Sequence, residues 1–153
     1  MKRRDATFIS RIFILSMVAL ALSIGATIVL ESEELTKIVP RTKLREFLII
    51  FAPLVTIMLV QYTYAIKSFG MRSLLTEALV LVFAGSLFLA VTSIYFFADV
   101  VVLHASDCPW WKIGGCPDTT IREPNHLWGV GIFAVGIAAL LMALWREGFL
   151  FRR

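Results

Sequence analysis

Four stretches of this sequence contain no Asp, Glu, Lys or Arg: Ile12 to Leu30, Phe47 to Ile66, Ala78 to Ala98 and Leu127 to Trp145. Each is about 20 residues long, and a helix rising about 1.5 Å per residue crosses a hydrocarbon core of about 30 Å in that length. Lipid offers nothing to satisfy backbone N–H and C=O groups, so such stretches are predicted to be helices. Four of them leave no room for a soluble domain in 153 residues. The expected fold is all-α: a single integral membrane domain over 1–153 with four transmembrane helices in an antiparallel bundle. The helices are placed at about 10–30, 46–66, 73–100 and 126–146, with one long outer loop between the third and fourth.

Composition agrees with this placement. Apolar residues make up 59% of the chain and charged residues 17%, where a soluble domain carries about 25% charged residues. A disordered chain is excluded on that ground, and a soluble globular enzyme is not the expectation. The net charge of +4 does not read as a nucleic-acid footprint, because the basic residues lie between apolar runs. No Walker loop, dinucleotide fingerprint, HExxH, CxxC or CxxCH motif is present.

Lys and Arg set the expected orientation. With the N-terminus inside, nine lie inside (Lys2, Arg3, Arg4, Arg11, Lys67, Arg72, Arg146, Arg152, Arg153) and six outside. Both termini are therefore expected on the cytoplasmic side of the cell membrane, with the 31–46 loop and the Cys-bearing loop extracytoplasmic. Lys2, Arg3 and Arg4 before an apolar run, with small residues at Ser23 to Ala26, also outline a signal peptide. The expectation adopted is an uncleaved first helix.

The long loop holds both Cys, both His and two of the four Trp. Cys108 and Cys116 enclose Gly114-Gly115, a sequence that lets the chain turn back. In an oxidising outer compartment they are expected to form a disulfide within the outer loop 104–125. The spacing does not suit a disulfide-exchange pair. Trp110 and Trp111 would then sit at headgroup level.

Asp99, His104 and His126 lie at the outer ends of helices three and four. Imidazole and carboxylate together suit copper, iron or zinc, so these three form the candidate metal set. The plainer expectation is that they simply face headgroups and water, and a haem held by both His is a further alternative. This stretch resembles the C subunit of the copper membrane monooxygenases, which oxidise ammonia or methane. That family carries an acidic residue or Asn and then two His near a helix end. In archaeal forms the second His stands in a Pro-Asn-His stretch opening an apolar helix. Here the matching residues are Asp99, His104 and Pro124-Asn125-His126. The likeness covers about thirty residues. His104 is one residue further from Asp99 than in the family, and the gap between the two His is longer by the inserted Cys loop. The resemblance implies a copper-binding oxidoreductase subunit using Asp99, His104 and His126.

Two polar residues stand out near the inner ends of helices. Glu77 is the one carboxylate inside an apolar stretch, between Leu74-Leu75 and the Ala78 run, and an ionisable residue in a membrane helix is by default a functional candidate. Snorkelling to the inner interface or pairing with a basic neighbour such as Arg72 is the simpler expectation. Gln61 could bond a neighbouring helix. Small multidrug transporters also have four short helices and one essential Glu, deep in the first. The first run here holds no acidic residue. Pro53 is expected to kink helix two. Small pairs four apart, Ala21/Gly25, Ser86/Ala90 and Ala134/Ala138, are expected to let helices approach closely. Phe83, Phe88, Phe96 and Phe97 would suit lipid or a partner.

The expected function is a non-catalytic, accessory subunit of a larger membrane complex of redox or energy-converting type, not an enzyme on its own. It implies other integral membrane subunits and the bilayer as partners, no nucleic acid, and no cofactor in this chain. Copper bound at the Asp99 set is the first alternative. A small transporter or channel acting through Glu77 is the second.

Overall fold

The computed structural model describes residues 3–32, 42–65, 71–103 and 119–149. Helix α1 spans Arg3–Glu31, α2 Lys43–Ala65, α3 Met71–Phe96 and α4 His126–Arg146. Each contains a segment long and apolar enough to cross a membrane. The strands β1 (Asp99–Leu103) and β2 (Thr119–Glu123) lie between α3 and α4. Helix α2 runs through Pro53 as one element.

The expected third helix ends four residues early. The chain leaves helix at Phe96, and Asp99 already opens a strand. Asp-Val-Val-Val-Leu and Thr-Thr-Ile-Arg-Glu are rich in β-branched residues, whose stiff side chains favour extended backbone. The two strands pair antiparallel, from Asp99 opposite Glu123 to Leu103 opposite Thr119. The base of the expected loop is thus an ordered ribbon. Cys108, Cys116, His104, Trp110 and Trp111 lie outside the described residues.

Helix α3 is the axis of the fold. Of its span 39% is buried inside the protein, against 11% for α2. Leu15 and Ala19 of α1, Ile57 of α2, Val80, Ala84 and Phe88 of α3, and Ala143 of α4 form the core. Phe83 and Phe88 are therefore interior residues, not lipid-facing ones. Phe96 and Phe97 are exposed; Phe97 stacks on Trp128 of α4 at 5.0 Å between centroids.

The tightest interface lies between α3 and α4. A β-carbon at Gly129 would lie 2.8 Å from the Ala90 carbonyl oxygen, so this backbone approach needs glycine. Gly129, Gly136, Ala139 and Ala143 are the buried residues of α4. Of the expected small pairs, Ser86/Ala90 is buried at this seam. Ala21/Gly25 and Ala134/Ala138 are exposed, and a β-carbon at Gly25 would meet nothing within 4 Å. Buried hydroxyls along α3 satisfy themselves on their own helix. Ser86 Oγ donates to the Phe83 carbonyl at 2.7 Å and Thr92 Oγ1 to the Phe88 carbonyl at 3.1 Å. Such back-bonding lets polar groups line a core without a cross-helix partner.

Candidate functional site

The polar centre of the described protein is built on Glu77. This residue lies six positions into α3, about 9 Å along its axis at the helical rise. Arg11 lies eight positions into α1, about 12 Å in, and Gln61 four positions before the end of α2, about 6 Å in. The three meet. Arg11 Nη1 donates to Glu77 Oε1 at 2.6 Å, and Arg11 Nη2 donates to Glu77 Oε2. Gln61 Nε2 donates to the same Oε2 and to the Glu77 backbone carbonyl at 3.3 Å.

A two-pronged guanidinium–carboxylate pair is the strongest form of ionic hydrogen bond, because its geometry matches both partners. The site is mostly closed. Gln61 is 4% exposed, and the side chains of Arg11 and Glu77 are 14% and 16% exposed. An isolated charge at that depth costs several kcal/mol, so the pair is the form in which both charges persist. One cluster thereby ties three helices together near one end of the protein.

The expectation for Glu77 was pairing with a basic residue. Among the described side chains the basic partner is Arg11, 66 positions away. Arg11 was counted only as a topology charge. Its signal was nonetheless present: apolar Phe8-Ile9 precede it and Ile12 to Leu15 follow, so it interrupts an apolar stretch.

At the opposite end, Asn125 Oδ1 accepts from the Leu127 amide at 3.2 Å, capping α4. The Asn125 amide donates to the Ile94 carbonyl at 3.1 Å, tying this cap to the end of α3. The Pro124-Asn125-His126 stretch thus has a structural role as a helix start. His126 is exposed and lines an apolar groove of about 300 Å³ together with Ala90, Ile94, Gly129 and Phe133. Asp99 stands opposite Glu123 at the ribbon base, and β1 runs on from it to Leu103, opposite Thr119; His104 lies outside the described residues. Among the described residues, no group of three His, Cys, Asp or Glu side chains is placed to hold a metal ion.

A second groove, of about 350 Å³, lies at the other end beside Thr76, Trp145, Arg146 and Glu147. Exposed Tyr62, Tyr64 and Trp145 give aromatic side chains at this end, where rings with polar tips suit an interface. No family model, no curated protein and no solved structure matches the sequence.

Proposed function

We propose that this chain is a non-catalytic subunit of a larger membrane-embedded complex. The observation that carries the reading is the pairing of Arg11 with Glu77. Each neutralises the other inside the membrane, and Gln61 closes the cluster. The carboxylate that a transport cycle would use is held as a brace between helices. Its chemistry is spent on fixing α1, α2 and α3 to one another.

The outer faces support the same reading. Helix α4 uses one small-residue face against α3 and presents Gly131, Ala134 and Ala138 outward. A β-carbon at Gly131 would meet nothing within 4 Å. Lipid chains do not require small residues, whereas an apolar helix of another subunit packs closely against them. The chain would cross the plasma membrane as an up-and-down antiparallel bundle, with both termini cytoplasmic. Contacts at matching helix ends support this arrangement, including Phe8 stacked on Phe149 at 5.7 Å. The Cys108–Cys116 disulfide would close the outer loop above the ribbon. A redox or energy-converting complex is proposed on the resemblance at Asp99, His104 and Pro124-Asn125-His126.

The test is gentle extraction of native membranes, separation on a native gel, and mass spectrometry with metal analysis of the band. A large band containing catalytic subunits is the expected result. A stable band of this chain alone overturns the proposal. Copper in that small band would put the Asp99, His104 and His126 set first, and transport by the lone chain would put Glu77 first.

A further inference from the structure

Two polar atoms of the Glu77 cluster are buried and meet no hydrogen-bond partner among the described residues: Gln61 Oε1 and Arg11 Nε. The first is an acceptor and the second carries a donor hydrogen. Their side chains share one anchor, because Gln61 Nε2 and Arg11 Nη2 both donate to Glu77 Oε2. The unmatched atoms therefore belong to two side chains that meet at one carboxylate oxygen. Leaving a buried donor or acceptor unpaired costs about 1–3 kcal/mol each. That cost favours any small species able to satisfy both.

The charges present narrow its chemistry. Arg11 and Glu77 already balance, so an added cation would face the guanidinium and an added anion the carboxylate. An apolar chain satisfies neither atom. A neutral hydroxyl satisfies both, since its oxygen accepts from Nε–H and its own proton goes to Oε1. The cluster lies about 6–12 Å from the nearby helix ends at the helical rise, within reach of the interface. Arg11 and Glu77 retain partial exposure, which leaves a way in. We propose that Arg11, Glu77 and Gln61 form a binding site for a neutral hydroxyl group, supplied by water or by a lipid headgroup.

Gln61 is the sole glutamine of the chain. Labelling with glutamine carrying carbon-13 at the side-chain carbonyl therefore yields one signal, and the unmodified protein can be used. The full chain is reconstituted in bilayers of deuterated lipid, and polarisation transfer from water protons to that carbon is followed by solid-state NMR. The same measurement is repeated with lipids protonated in the headgroup and the water deuterated. The reference is the side chain of Ile57, one turn along the same helix and 0% exposed, read in a second sample labelled at isoleucine and assigned against Ile57→Val. Transfer from water several-fold faster to Gln61 than to Ile57 supports the site and makes water the source. Fast transfer only from protonated headgroups supports the site with lipid as the source. Transfer to Gln61 as slow as to Ile57 from both sources overturns the proposal.

Discussion

A β-carbon placed on Gly136 of α4 would lie 1.8 Å from the Ser86 Oγ of α3. The Ser86 hydroxyl is itself bonded to the Phe83 carbonyl at 2.7 Å, and its own Cβ would lie 2.9 Å from the added carbon. Rotating the hydroxyl away therefore does not clear the space. Gly136→Ala should force α3 and α4 apart and destabilise the protein by about 1–3 kcal/mol, the usual range for overpacking. Adding Ser86→Gly should recover part of that loss. Gly131→Ala is the contrast, and should be neutral or stabilising by up to about 1 kcal/mol through helix propensity. Unfolding of the purified variants in mixed detergent measures all three. Equal losses for Gly131→Ala and Gly136→Ala would contradict the packing described.

The Arg11–Glu77 pair predicts strong non-additivity. Removing either charge alone, by Arg11→Gln or Glu77→Gln, leaves the other unpaired and should cost about 3–5 kcal/mol, the range for breaking a buried pair. The double variant removes both charges and should be more stable than at least one single variant. A double-mutant cycle by the same unfolding assay reads the coupling directly. Additive losses would show that the two residues act independently.

Asn125 should matter through its side-chain oxygen. Asn125→Ala loses the bond from the Leu127 amide and should cost about 1 kcal/mol, whereas Asn125→Asp should retain most of it. Hydrogen exchange at the first-turn amides of α4 is the readout. Faster exchange confined to the alanine variant is expected.

Asp99 and Glu123 stand opposite each other in register, and like charges so placed destabilise a strand pair by about 0.2–1 kcal/mol. Glu123→Thr removes one charge and adds a β-branched residue. Slower amide exchange across Val100 to Val102 is expected, and unchanged exchange would mean the carboxylates do not interact.

Membrane location and helix number were legible from the four charge-free runs, because hydrocarbon imposes a length and a hydrogen-bonding rule that any apolar run of about 20 residues meets. The Asn125 cap was visible as a residue type but was read as part of a metal motif. The ribbon was legible in principle from Asp-Val-Val-Val-Leu and Thr-Thr-Ile-Arg-Glu, but an apolar run flowing into β-branched residues carries no marker for the end of the helix.

The sequence by itself determined that four runs are long and apolar enough to cross a bilayer, since the transfer of each apolar run from water to lipid is a local property of that run. Which faces meet was decided only by tertiary structure. Lipid is as apolar as leucine, so no hydrophobic pattern separates an inward face from an outward one. That is why Ser86/Ala90 became a seam while Ala21/Gly25 and Ala134/Ala138 stayed exposed. The same holds for the site. Glu77 announced a need for a partner, but three helices had to pack around α3 before Arg11 and Gln61 could supply one.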